Sequence, residues 1–123
     1  MLAHKHLVVR AEVDKPIVNK NKAIKFLRSL IKKIKMKPMY GPTASYCKMV
    51  GNRGITAFAI IETSHIAMHI WDESSPALVQ LDVYSCSDFT TKTVFEHIEP
   101  MNPTHIDYKF LDREEKFIEV LAN

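Results

Sequence analysis

The chain contains no apolar run longer than Ala57 to Ile61. That is far short of the roughly 18 residues that signal a membrane span. No charged start leads into a signal-like apolar stretch either, so the sequence reads as a soluble, cytoplasmic chain. Cysteine is scarce: Cys47 and Cys86 cannot form a disulfide framework, and free thiols are expected. No repeat, linker or low-complexity segment divides the 123 residues, which read as one domain spanning 1–123. A compact fold of this length removes about two thirds of the unfolded chain's surface from water, enough for a core without metal or disulfide staples. The composition, 46% hydrophobic and 25% charged, is that of a globular domain rather than a disordered tail.

Acid is missing altogether from Lys15 to Lys37, a stretch holding nine of the 17 basic side chains. The chain's net charge of +3 is therefore +9 there and −6 elsewhere. Such a run can attract nucleic acid through counterion release. Two features argue against that partner. Ala23, Ile24, Leu27, Leu30, Ile31 and Ile34 recur at helical spacing, so the lysines form the wet face of an amphipathic helix. No aromatic residue lines that face for base stacking.

Alternation of Leu7, Val9, Ala11 and Val13 predicts a strand over 6–13, and a helix follows from about Pro16 to Lys37. Pro38, Gly41 and Pro42 punctuate a turn. Strands are predicted over 43–50 and 55–61, joined by Gly51 to Gly54, and then over 65–71 and 77–84 across a polar turn. Ser87 offers an N-cap for a second helix reaching Ile98, with Pro100 beyond it. A last strand covers 104–111. This order predicts an α+β fold, a two-layer sandwich in which an antiparallel sheet carries two main helices on one face.

Residues able to do chemistry crowd into the middle: Glu62, Thr63, Ser64, His65, His69, Asp72, Glu73 and then Cys86. On neighbouring strands they can meet at one end of the sheet. His65 and His69 share a strand face and suggest a metal pair. A third ligand would have to come from His4, His6 or a cysteine, and no short-spaced cysteine pair or HExxH pattern supports one, so no metal is assigned. Nucleophilic hydrolysis by Ser64 or Cys86 with a histidine base would need a strained nucleophile turn, and the Gly-x-Ser-x-Gly surround is absent. Taken singly, Cys86 can be a small buried hydrophobe, His69 a sheet histidine and Glu73 a solvated acid.

Their joint spacing says more. The run from Gly54 through Glu62-Thr63-Ser64-His65, His69, Trp71 and Glu73, followed by Gln80-Leu81-Asp82 and Cys86, resembles the short bacterial and archaeal S-adenosylmethionine decarboxylases, which are pyruvoyl enzymes. His6-Leu7-Val8 resembles that family's first strand. The resemblance implies that Ser64 attacks the Thr63 carbonyl, that the chain breaks between Thr63 and Ser64 into residues 1–63 and 64–123, and that Ser64 becomes a pyruvoyl group. This group forms a Schiff base with the substrate amine and accepts the electrons left by carbon dioxide, so no added cofactor is needed. By the same resemblance His69 assists processing through proton transfer, Cys86 returns a proton to the decarboxylated carbon, and Glu73 accepts hydrogen bonds from ribose hydroxyls. Thr63 and Trp71 are placed at the substrate, and the expected assembly is a homodimer of processed protomers with a small-molecule substrate.

Two positions depart from the family pattern. Members usually carry Glu before the serine, where this chain has Thr63. They also tend to place an aromatic residue shortly before the third strand, where this chain has Cys47-Lys48-Met49-Val50-Gly51. These changes leave two alternatives beside S-adenosylmethionine decarboxylation for spermidine synthesis. One is an ornithine or arginine decarboxylase on the same scaffold, and the other an unprocessed, non-catalytic binding domain using the Lys-rich helix.

Overall fold

The structure, a computed structural model, describes residues 3–123. Seven strands form one antiparallel sheet in the order β2-β3-β4-β5-β1-β6-β7: β1 Lys5–Val13, β2 Pro38–Cys47, β3 Gly54–Ile61, β4 Ser64–Trp71, β5 Ala77–Ser85, β6 Pro103–Asp112 and β7 Ile118–Glu119. Helices α1, Lys20–Lys33, and α2, Thr91–Ile98, cover one face, as the α+β sandwich expectation holds. Strand alternation decides which side chains they cover. Leu7, Val9, Ala11 and Val13 of β1, Ile66, Met68 and Ile70 of β4, and Val79, Leu81 and Val83 of β5 are buried against the helices. Their neighbours of opposite parity form an open face.

Helix α1 buries Ala23, Leu27, Leu30 and Ile31, the spacing expected of one helical stripe. It begins four residues later than the sequence suggests, because Asn19 supplies the cap: its Oδ1 accepts the Lys22 N–H at 3.1 Å. Lys20, Lys22, Lys25, Arg28 and Lys32 are exposed away from the sheet. Lys33 instead turns to α2, where its Nζ donates to His97 Nδ1 at 3.1 Å while His97 Nε2–H donates to the Phe26 carbonyl at 2.8 Å. Burial between the helices pushes the His97 pKa down, partly offset by the Phe26 carbonyl.

Further boundaries differ from the sequence reading, α1 ending at Lys33 rather than Lys37 among them. Strand β2 starts at Pro38 rather than Thr43 and ends at Cys47 rather than Val50. Prolines are tolerated there because β2 is an edge strand whose register with β3 shifts twice. Helix α2 starts at Thr91, with Thr90 rather than Ser87 at the N-cap. Its first amides are satisfied from a distance, since Asn123 Oδ1 accepts Thr91 N–H at 2.9 Å and the Asn123 carbonyl accepts Lys92 N–H at 3.0 Å. The short β7, in the tail left unassigned, pairs with the end of β6.

One glycine is required by packing. Gly54 has φ +150°, and a Cβ there would lie 1.7 Å from the Ile70 carbonyl oxygen of β4. Gly54→Ala is expected to cost at least about 3 kcal/mol, because backbone must part from backbone where β3 meets β4. Chemical denaturation of the variant beside the parent measures that loss.

Candidate active site

A two-residue turn, Glu62-Thr63, joins β3 to β4, and the strand opens on Ser64. Ser64 has φ +144°, a conformation that L side chains rarely adopt and that costs roughly 1–3 kcal/mol. The carbonyl immediately before it, that of Thr63, accepts the Cys86 backbone N–H at 2.7 Å. Register puts Ser64 directly opposite Ser85 of β5, so Cys86 lies beside Thr63 just past the strand end. Cys86 is half-buried and both cysteines are free thiols. Beneath the turn, Met36 Sδ accepts the Thr63 hydroxyl at 3.0 Å. Thr63 is thus turned towards the chain after α1. Buried Ser85 accepts the Ser87 N–H at 3.0 Å and fixes the segment that carries Cys86.

His69, Trp71 and Glu73 lie at the opposite end of β4. Five residues of strand separate Ser64 from His69, about 17 Å at roughly 3.3 Å per residue. The expectation that all these groups meet at one end within a chain is therefore corrected: Thr63, Ser64 and Cys86 converge, and His69, Trp71 and Glu73 form a second group. His69 faces Thr56 of β3, whose Oγ1 is 3.1 Å from Nδ1, and its ring stacks on Trp71 with centroids 5.7 Å apart. Trp71 Nε1–H donates to Asn52 Oδ1 at 2.8 Å. A cavity of about 260 Å³ opens beside His69, lined also by Cys47, Asn52, Thr56 and Trp71.

Glu73 accepts the Arg53 N–H at 3.0 Å and the Gly51 N–H at 3.1 Å, and these bonds hold its carboxyl below the usual range. It anchors the β2–β3 turn and keeps acceptor sites to spare on an exposed carboxylate. Trp71, Glu73, Gly51, Ser74 and Leu78 line a cavity of about 420 Å³. Tyr46 donates to Asp72 at 2.9 Å, a bond that raises the phenol pKa. His65 lies exposed on the open face with its ring 5.6 Å from that of Tyr84. Among the described residues no group of three His, Cys, Asp or Glu is placed to hold a metal ion.

Thr56 and Ser85 were missed by sequence reasoning. The two-residue turn held the signal for Thr56: pairing Ile61 with Ser64 forces Thr56 opposite His69. Ser85 required the β4–β5 register, which no local pattern reveals.

A two-layer α+β sandwich with a strained serine opening a central strand, its preceding carbonyl pinned by a cysteine amide, defines the class of this protein. The family profile described as S-adenosylmethionine decarboxylase matches residues 5–114, and the chain belongs to that family. It is similar to the S-adenosylmethionine decarboxylase proenzymes of Pyrobaculum arsenaticum, 42% identical over 64 residues covering 50% of each chain, and of Pyrobaculum aerophilum, 40% identical over 62 residues covering 49% of this chain and 48% of the relative. In these matches the chain spans about half the length of the curated relatives. Against the proenzyme of Archaeoglobus fulgidus the match is 25% identical over 116 residues, 92% of this chain and 99% of the relative. The crystal structure of the adenosylmethionine decarboxylase of Aquifex aeolicus shares the fold with a TM-score of 0.67 at 24% identity, covering 99% of this chain and 98% of that one.

Proposed function

We propose that this chain is a decarboxylase of S-adenosylmethionine that cleaves itself between Thr63 and Ser64. The observation that carries this reading is the strained Ser64 next to a carbonyl already held at 2.7 Å by the Cys86 amide. Attack of the Ser64 hydroxyl on the Thr63 carbonyl carbon moves the acyl group from nitrogen to oxygen. The Cys86 N–H already points at the oxygen that becomes negative, as an oxyanion donor must. Breaking the peptide bond also releases the backbone strain at Ser64. Loss of the Ser64 α-proton then expels Thr63 as a carboxylate. Hydrolysis of the resulting dehydroalanine releases ammonia and leaves a pyruvoyl group at residue 64. The residues present fit that group, which supplies a ketone for the substrate amine and a sink for the electrons left by carbon dioxide.

Cys86, held beside residue 64 by the hydrogen bond from its N–H to the Thr63 carbonyl, carries the proton returned to the substrate carbon. His69 moves the α-proton during processing, with Thr56 fixing its ring. Since His69 is about 17 Å from Ser64 in its own chain, it serves the Ser64 of a second copy. Two chains packed open face to open face about a two-fold axis bring each His69 end onto the partner's Ser64 end, making two equal sites. Exposed Tyr40, Phe58 and Ile60 on that face give the pairing apolar surface. The adenosyl part then lies against Trp71, with Glu73 accepting from the ribose hydroxyls.

Release of carbon dioxide measured with S-adenosylmethionine, ornithine and arginine in parallel tests the substrate. Turnover of S-adenosylmethionine alone is expected. Release from an amino acid alone would overturn the reading.

A further inference from the structure

At the Ser64 end of the open face stands a cation that the processing chemistry does not use. Arg113 follows β6, and its N–H donates to the His4 carbonyl at 2.7 Å, extending the β1–β6 ladder one step beyond Lys5 and Asp112. Its guanidinium lies 4.3 Å from the centroid of Tyr84 and 5.3 Å from that of Phe117, between two aromatic rings. One N–H donates to His6 Nδ1 at 3.0 Å, which leaves the His6 proton on Nε2. That Nε2 is buried, and its nearest acid, Asp82, is 3.8 Å away, too far for a hydrogen bond. No carboxylate of the described residues pairs with Arg113. The group is a permanent charge with unused donors in a planar fork, held rigid by stacking, the geometry that matches a carboxylate in two parallel hydrogen bonds.

Its position gives that fork a partner. Tyr84, on which it rests, is two residues before Cys86 and pairs in register with His65, the residue after Ser64. Two residues of strand are about 7 Å, so Tyr84, whose ring carries the guanidinium, stands about that far along the chain from the proton donor and diagonally across the ladder from the new N-terminus. We infer that Arg113 receives the α-carboxylate of the substrate, an inference that rests on the decarboxylase reading and names the group that this site recognises. The carboxylate departs as neutral carbon dioxide, so the ion pair is strongest in the ground state and fades towards the transition state. It therefore favours binding and gives no help to the chemical step, whose barrier it raises.

Initial rates of carbon dioxide release from S-adenosylmethionine, with calorimetric binding of its decarboxylated product, test this on wild type and Arg113→Gln. The variant is expected to split into two fragments as wild type does, to raise KM at least tenfold with kcat held or increased, and to bind the product within twofold of wild type. An unchanged KM, or equal weakening towards substrate and product, would overturn the inference, the second by marking Arg113 as merely structural. If Arg113→Gln does not fold, Arg113→Lys carries the same test, with KM raised about threefold because charge remains but the fork is lost. If wild type releases no carbon dioxide, the decarboxylase reading fails, and calorimetry with intact S-adenosylmethionine judges the carboxylate site alone. Tenfold weaker binding to Arg113→Gln would then keep it, and equal or absent binding would remove it.

Discussion

Ser64→Ala is expected to remain one uncut chain and to lose carbon dioxide release by at least about a thousandfold, because without the Ser64 hydroxyl no ketone forms to receive the substrate amine. The loss should be separable from folding. Ser64 opens β4 with φ +144°, and alanine there keeps the same strain without the hydroxyl, so the variant should unfold at a denaturant concentration close to that of an uncut parent. Denaturing electrophoresis and substrate turnover on the same preparation check both halves. Ser64→Gly sharpens the comparison, since glycine accepts the positive φ without cost. It should be more stable than Ser64→Ala and equally inert.

The second large effect concerns the two groups at opposite ends of β4. Alone, His69→Ala should process slowly, and Ser64→Ala should not process at all. Co-expressed, they should recover cleavage. In a mixed dimer one site pairs the intact Ser64 of the His69→Ala chain with the intact His69 of the Ser64→Ala chain. Random pairing makes half of the dimers mixed, and each mixed dimer holds one good site, so roughly a quarter of the wild-type activity is expected. A strand rise of about 3.3 Å per residue is the physical basis: no rotamer of His69 spans about 17 Å. Fragments appearing no faster in the mixture than in His69→Ala alone would return His69 to its own chain's chemistry or to none.

Much of this architecture was legible from alternation and helical spacing. The Leu7 to Val13 pattern and the Ala23 to Ile34 stripe each fixed a buried face, and the order of elements followed. What was misread depended on contacts between distant residues. Pro38, Gly41 and Pro42 punctuate by local rules, yet β2 runs through them because its outer edge has no partner strand. The cap of α2 comes from Asn123, which no local motif near Ser87 announces. At the site, the family resemblance that the residue types and their joint spacing carry pointed to Ser64, His69, Glu73 and Cys86. The strain at Ser64 and the Cys86 amide on the Thr63 carbonyl are backbone geometry, which a string of side chains does not encode locally. The separation of His69 from Ser64 was available from strand arithmetic alone. It becomes informative only once β4 is known to run unbroken from Ser64 to Trp71.

The central claim, that this chain cuts itself at Ser64 to make its own catalytic group, is tested most directly by the intact mass of the purified wild-type protein under denaturing conditions. The account predicts two masses, residues 1–63 ending in the Thr63 carboxylate and residues 64–123 beginning with a pyruvoyl group, the latter lighter by one ammonia than water and the chain sequence alone would give. A single mass equal to the uncut chain, after ageing at neutral pH, would contradict it.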